Sequence, residues 1–303
     1  MGQGQDQTQR SGMPAAIATY AIWGLLPLYL RQVHEVPPIE FVGWRVLFTL
    51  PFCLLLVAIL RSGPALRAAF AWRTLRLLLI SALLIGVNWT IYIVAVQSGH
   101  VIATAIGYYI NPLTTILAGT LFLGERLSQR QWLAVGLALG GVSLLAWDAF
   151  DTLWISLSLA LTFTTYGVVR KLAPVESLAG LSVETLLLMP AALVLVGWYA
   201  LTPAGSALGG DPGFTLLIAL SGVVTGVPLL LFTYAARRMD YSTLGMMQFF
   251  SPTIAFLLGI YLFGESLKTS QLACLMLIWA AIAVFMWDLW VQRRLRLAQE
   301  APA

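Results

Sequence analysis

Apolar residues in this chain come in long runs separated by short polar connections, not in alternating or helical stripes. A helix that crosses a bilayer needs about 20 mostly apolar residues. Ten stretches qualify, at roughly 14–30, 38–60, 77–97, 102–123, 132–147, 152–169, 178–201, 213–235, 243–263 and 271–290. The fifth and sixth are short, and Asp148 and Asp151 mark the break between them. The first run has a polar leader with a single Arg10 and is followed by Arg31. It reads as a retained anchor, not a cleaved signal.

Composition agrees with the pattern. Of 303 residues, 59% are hydrophobic and 10% charged, with mean hydropathy +0.86, where a soluble domain carries roughly 25% charged residues. That excludes a soluble enzyme, a disordered regulator and a nucleic-acid binder, despite a pI near 9.2. The basic excess reports orientation instead. Fourteen of the 17 Lys and Arg residues fall on one side: Arg10, Arg61, Arg67, Arg73, Arg76, Arg126, Arg130, Arg170, Lys171, Arg237, Arg238, Arg293, Arg294 and Arg296. Arg31 and Lys268 fall on the other, and Arg45 lies within a span. The bias puts both termini in the cytoplasm and an inner (plasma) membrane around the chain. Cys53 and Cys274 lie in apolar runs and read as buried free thiols; His34 and His100 sit in short connections, so no metal site is expected. A Gly-rich phosphate loop is absent, which argues against an ATP-driven pump. No cofactor is expected; the partners are the lipid bilayer and a small-molecule substrate, and a monomer is compatible with all of this.

The chain repeats at an offset of 140. Pro112, Gly119, Gly124, Glu125, Leu127, Gln131, Trp147 and Asp148 recur as Pro252, Gly259, Gly264, Glu265, Leu267, Gln271, Trp287 and Asp288. Five spans per half is an odd number, so the second half must be inverted. This predicts an all-α polytopic membrane protein of ten transmembrane helices in two inverted five-helix repeats, an architecture typical of secondary transporters. The expected divisions are a cytoplasmic tail 1–13, a first repeat 14–148, a second repeat 149–290 and a basic cytoplasmic tail 291–303.

Several stretches carry a resemblance: Ala21-Ile22-Trp23-Gly24, Gly43-Trp44-Arg45, Asn88-Trp89, Gly107-Tyr108-Tyr109-Ile110-Asn111-Pro112 leading into Leu123-Gly124-Glu125-Arg126, Tyr166 through Lys171, and Gln248 through Pro252. With these the chain resembles the drug/metabolite transporter superfamily in its ten-span EamA group, RarD-type proteins above all, from about residue 14 to 295. The resemblance implies two inverted five-helix halves and export of metabolites, with YddG-like amino-acid exporters prominent among relatives.

The residues suggest where a substrate would sit. Thr104, Tyr108, Asn111 and Thr115 share one helical face, and Gln248 and Ser251 hold the corresponding middle positions of span 9. Asn88 and Tyr92 share a face of span 3 with Trp89 beside them, and Trp23 and Tyr166 repeat one pattern in spans 1 and 6. Two ionisable residues, Arg45 and Glu184, fall inside spans at matched positions. An intramembrane charge is a functional candidate by default. They enter from opposite faces, offset by about 10 Å on helical rise and too far apart for a tight salt bridge. In one reading Arg45 receives a carboxylate and Glu184 an amine; in the other Arg45 snorkels outward and Glu184 bonds a neighbouring helix. The expected substrate-binding set is therefore Trp23, Arg45, Asn88, Trp89, Tyr92, Tyr108, Asn111, Tyr166, Glu184, Gln248 and Ser251, with interhelical hydrogen bonding as the alternative role for the polar members.

Paired breakers at Gly86 and Gly226 with Pro228, Pro112 and Pro252, and Gly119 and Gly259 are the expected gating positions, while Gly136, Gly140 and Gly141 of span 5 read as packing glycines. The Gly-Glu turns at 124–125 and 264–265 read as helix stops. The expected function is alternating-access export of small metabolites, amino acids first. A multidrug exporter would favour aromatics and one buried acid. A sugar-phosphate or nucleotide-sugar carrier would need two or more converging cations. No paired acids, Ser-His pair or metal cluster supports an enzyme.

Overall fold

A computed structural model of the chain describes residues 2–98, 100–147, 150–203, 205–262 and 269–300. Asp148, Gly264, Glu265, Leu267 and Lys268, which carry part of the repeat and of the charge count, lie outside the described residues. The elements are α1 (Gly2–Gln32), α2 (Pro38–Ile59), α3 (Gly63–Ala69), α4 (Trp72–Gln97), α5 (Val101–Phe122), α6 (Gln129–Trp147), α7 (Leu153–Leu172), α8 (Ser177–Ala200), α9 (Pro212–Ala236), α10 (Tyr241–Gln248), α11 (Phe250–Tyr261) and α12 (Thr269–Glu300). No strand occurs among the described residues. The protein is an all-α polytopic membrane protein.

Local chemistry sets several boundaries. Proline opens α2 and α9, where the lost N–H has no helical partner to miss. The Asp211 carboxylate accepts the Phe214 N–H at 2.7 Å and caps α9. Gly124 takes the left-handed conformation, φ 68°, in the connection after α5. α1 begins at Gly2, well before the apolar run, and α12 continues past its own to Glu300.

Eight segments among the described residues are long and apolar enough to cross a membrane, α10 and α11 together forming one of them. α5 and α6, at 22 and 19 residues, stand where the fourth and fifth spans are expected but are not among the eight. Gln129, Arg130 and Gln131 dilute the start of α6, whereas α5 is on average nearly as apolar as α2. Asn111, Thr115 and Gln131 are buried against protein, so neither helix offers them to lipid.

The packed pairs follow a rule. α1 lies on α9 and α11, and α7 lies on α4 and α5; α2 packs on α8 and α9, and α8 on α2 and α4; α5 crosses α10, and α6 pairs with α12. Exchanging α1 with α7, α2 with α8, α4 with α9, α5 with α10–α11 and α6 with α12 maps this set onto itself.

Without a hydrophobic driving force between helices, close approach rests on small residues. The span-5 expectation needs correction here. A Cβ added at Gly141 would lie 3.0 Å from the Cys274 carbonyl oxygen of α12, but one added at Gly136 or Gly140 would meet no other element within 4 Å. Gly222 is the tightest crossing of α9 on α2, where an added Cβ would overlap the Phe48 carbonyl and approach the Thr49 nitrogen to 2.8 Å. Gly222→Ala is expected to destabilise the protein by about 1–3 kcal/mol, the usual cost of overpacking. Gly136→Ala should leave stability unchanged. Thermal unfolding of both variants in detergent checks this, and equal melting temperatures would count against the crossing.

Candidate functional site

The apolar clusters are arranged differently at the two ends of the helix bundle. At the end holding the α3 connection, one apolar cluster joins helices of both halves: Ala16 and Tyr20 of α1, Cys53 of α2, Ile85 of α4, Tyr166 of α7, Leu181 of α8, Phe232 of α9 and Tyr241 of α10. At the end holding residues 33–37 and 98–100 there are two clusters with no common member. Val33, Val36, Phe41 and Ile218 tie α1, α2 and α9. Ala95, Ala103, Ile155 and Leu159 tie α4, α5 and α7. Between these two groups of helices the terminal nitrogens of Arg45 are not among the buried unpartnered polar atoms, and we read the space there as a candidate cleft.

Polar bonds reinforce the sealed end. The Glu125 carboxylate, on the connection after α5, accepts the N–H groups of Tyr241 at 2.6 Å and Ser242 at 2.8 Å and so caps α10. The hydroxyl of Tyr20 donates to the Leu244 carbonyl at 3.2 Å and that of Tyr241 to the Thr164 carbonyl at 2.9 Å. Lys171 Nζ donates to the carbonyls of Ala236 and Met239 and closes the C-terminus of α9.

The floor of the cleft is aromatic. Trp23 lies 5.6 Å from Phe163, 5.7 Å from Phe232 and 5.9 Å from Tyr20, ring centre to ring centre. Tyr166 stacks beneath on Phe232 at 6.3 Å. Above the floor, the two walls face each other through Arg45 on α2 and Trp89, Tyr92 and Tyr108 on α4 and α5. The guanidinium of Arg45 lies 4.9 Å over the Trp89 ring, a cation–π distance. Its Nε donates to Thr225 Oγ1 at 2.9 Å. Tyr108, Tyr92 and Tyr29 lie near enough to act on it electrostatically. Tyr108 remains 52% exposed although its ring sits 6.2 Å from that of Tyr92.

Other expected site residues lie elsewhere. Asn111 and Gln248 are buried in one network: Thr164 Oγ1 donates to Asn111 Oδ1 at 3.2 Å, and Thr115 Oγ1 donates to Gln248 Oε1 at 3.2 Å. Asn88 donates to the Leu159 carbonyl at 2.9 Å and to Thr162 Oγ1 at 2.8 Å, bolting α4 to α7. Ser251 is half-buried where α11 meets Gly24 of α1. Pro112 and Pro228 sit inside unbroken helices, whereas Pro252 follows the break at Phe249 between α10 and α11. Gly86, Gly119 and Gly226 are crowded crossings, where a Cβ would come within 3.2 Å of Leu188, 2.6 Å of Glu125 Oε2 and 2.8 Å of the Phe52 ring. Gly259 is buried in α11.

Glu184 has a partner that the charge count conceals. Arg170, counted above as a loop residue, is fully buried, and its Nε lies 3.5 Å from Glu184 Oε1. Ser81 donates to the same carboxylate oxygen, and Arg170 Nη2 donates to the Ser177 carbonyl at 3.2 Å. Gly180 makes the space, since a Cβ there would overlap the guanidinium. The position of Arg170 next to Lys171 at a helix end made it read as a flank; the glycine four residues before Glu184 was the available signal. Tyr29 and Glu40 were also missed. Glu40 is buried and accepts hydrogen bonds from Trp44, Ser206 and the Ala207 N–H, closing the wall of α1, α2 and α9.

A candidate site set between two groups of helices suits a transporter, and comparison with known proteins agrees. The model of the EamA-like transporter family matches residues 10–147 and again 152–287. The chain belongs to the EamA-like transporter family. This EamA-like chain is 41% identical to an uncharacterized transporter of Pseudomonas aeruginosa, with 96% of this chain and 97% of that protein covered. It is 38% identical to Protein RarD of Escherichia coli, over 94% and 97% of the two. A Pseudomonas aeruginosa protein named chloramphenicol-sensitive protein RarD is 29% identical over 91% and 94%. A solved crystal structure shares the fold at TM-score 0.71 and 18% identity, over 91% of this chain and 97% of that one. The EamA-like protein is a multi-pass membrane transporter.

The buried pair gives a stability test. Removing one partner of a buried ion pair typically costs about 3–5 kcal/mol, because the other charge is left uncompensated. Glu184→Gln should therefore lower the melting temperature in detergent sharply, and the double variant Arg170→Met/Glu184→Leu should recover most of it. An unchanged melting temperature in Glu184→Gln would contradict the pairing.

Proposed function

We propose that this protein is an inner-membrane secondary transporter that exports small metabolites, amino acids first among them, by alternating access between two inverted five-helix halves. The observation that carries the reading is the packing: one apolar cluster joins both halves at one end, two separate clusters stand at the other, and Arg45 lies over Trp89 between them. Packing that maps onto itself when the halves are exchanged supports a second state in which the open and sealed ends trade places. The positive-inside bias makes the sealed end cytoplasmic and the open end periplasmic. Both termini are then cytoplasmic, and the structure is the outward-facing state.

The site favours this reading over its rivals in specific ways. Aromatic walls suit an apolar side chain or a drug, and the name of one relative mentions chloramphenicol sensitivity. A carrier of cationic drugs, however, wants a free acid, and Glu184 is engaged by Arg170 and Ser81. A sugar-phosphate or nucleotide-sugar carrier wants several cations, and Arg45 is joined in the cleft by tyrosines.

Two measurements test the proposal. Liposomes holding the purified protein and loaded with labelled amino acids should release them faster than protein-free liposomes. Release of cationic dyes but of no amino acid would favour the multidrug reading instead. A topology reporter fused at Gly63 should read cytoplasmic and one at Gly209 periplasmic; the reverse would overturn the orientation.

A further inference from the structure

Arg45 and Arg170, one on α2 and one on α7, both face protein in membrane-spanning helices and are satisfied differently. A guanidinium at the centre of a membrane helix costs at least about 2.5–3.5 kcal/mol unless it finds a partner or water. Arg170 has a carboxylate at 3.5 Å and a backbone carbonyl at 3.2 Å. Arg45 has a threonine hydroxyl, an indole face and three phenols. No ion pair found among the described residues includes it. One positive charge on the cleft wall is therefore left without a counter-charge.

The way Arg45 is held narrows what completes it. Thr225 occupies Nε, and no protein hydrogen bond engages the two terminal nitrogens among the described residues. The Trp89 ring lies against the guanidinium plane. What remains is the fork of Nη1 and Nη2, whose spacing matches the two oxygens of a carboxylate. A phosphate dianion would bring two charges to a single cation. An ammonium group gains nothing from Arg45, and the matched acid Glu184 lies buried and engaged beside Arg170. The amine of a zwitterion therefore meets only phenol oxygens and aromatic faces in the cleft.

We propose that the cleft selects its substrate through the carboxylate, with Arg45 as the group that binds it and Trp89, Tyr92 and Tyr108 enclosing an apolar or aromatic body. The substrate class is small monocarboxylates, for which an α-ammonium group is tolerated but not required. This deepens the transporter reading and rests on it for the claim that what binds is carried.

The test uses the full-length protein in detergent and in liposomes, with five probes of similar body: 3-phenylpropanoate, L-phenylalanine, L-phenylalaninamide, phenethylamine and phenyl phosphate. A ligand that binds the folded state raises the melting temperature by mass action. The two carboxylates are expected to stabilise the wild type at millimolar concentration, and the amide, the amine and the phosphate to do so far less. Arg45→Gln should weaken carboxylate binding about tenfold or more, the loss expected for a charge-assisted hydrogen-bonded pair. Thr225→Val, which keeps the charge and frees Nε, should weaken it less and guards against a misfolded Arg45 variant. Stabilisation by the amide or amine equal to that by 3-phenylpropanoate, unchanged carboxylate binding in Arg45→Gln, or no carboxylate stabilisation at all would each overturn the proposal. Release from liposomes separates the two claims. Release of the amide in preference to the acid would sink carboxylate selection and leave transport standing. Binding of the acid with no release of any probe would sink transport and leave the carboxylate site standing.

Discussion

A charge placed in hydrocarbon must be met by a counter-charge, a dipole or water, and most of this architecture follows from where that demand is met inside the protein. Lipid offers none of the three. The chain meets the demand internally at the sealed end, where Glu184 is taken by Arg170 and Ser81 and Glu125 by two backbone N–H groups of α10. At the open end it meets the demand only in part. Arg45 is steadied by Thr225 and Trp89 but not neutralised. What separates the two buried charges from Arg45 here is the presence or absence of a partner that neutralises them, not residue type.

The same contrast orders the aromatic residues. Tyr20 and Tyr241 are fully buried, and each spends its hydroxyl on a backbone carbonyl of another helix. They act as rivets of the sealed end. Tyr108 stays half-exposed beside Arg45. A tyrosine whose hydroxyl closes a helix contact cannot also report on a ligand, so the two groups divide along the axis of the cleft. Trp23 sits at the division, with Phe163 and Phe232 around it.

Sequence and structure diverge at definite places. Run length and the segregation of Lys and Arg made the helices legible, because hydrocarbon thickness imposes them directly. α6 starts weakly by apolar content for a reason the sequence also contains: Gln131 there lies on a face that protein covers. Periodicity placed Thr104, Tyr108, Asn111 and Thr115 on one face, but a shared face does not fix depth. Asn111 and Thr115 point into a hydrogen-bonded junction with α7 and α10 while Tyr108, one turn nearer the open end, meets the cleft. Arg170 was hidden because a basic residue at a helix end normally faces headgroups. Only the groove left by Gly180 turns it inward.

The repeat is closest in its packing and loosest in its backbone, and that asymmetry bears on how a proposed exchange of open and sealed ends would proceed. α5 runs unbroken through Pro112, yet its counterpart divides at Phe249 ahead of Pro252. The short α10 carries much of what closes the cytoplasmic side in the proposed orientation: it receives Glu125 at its N-terminus, Tyr20 at Leu244 and Thr115 at Gln248. Each bond is individually modest, since a hydrogen bond exchanged for water contributes about 0.5–1.5 kcal/mol net and one to a charged group about 1.5–3 kcal/mol. A helix joined to its continuation by a break can leave these partners while α11 keeps its more extensive packing on α1. The cost of opening is then confined to a few bonds and the apolar cluster around Phe232. That keeps the two states within the few kcal/mol that a bound ligand's differential affinity can shift.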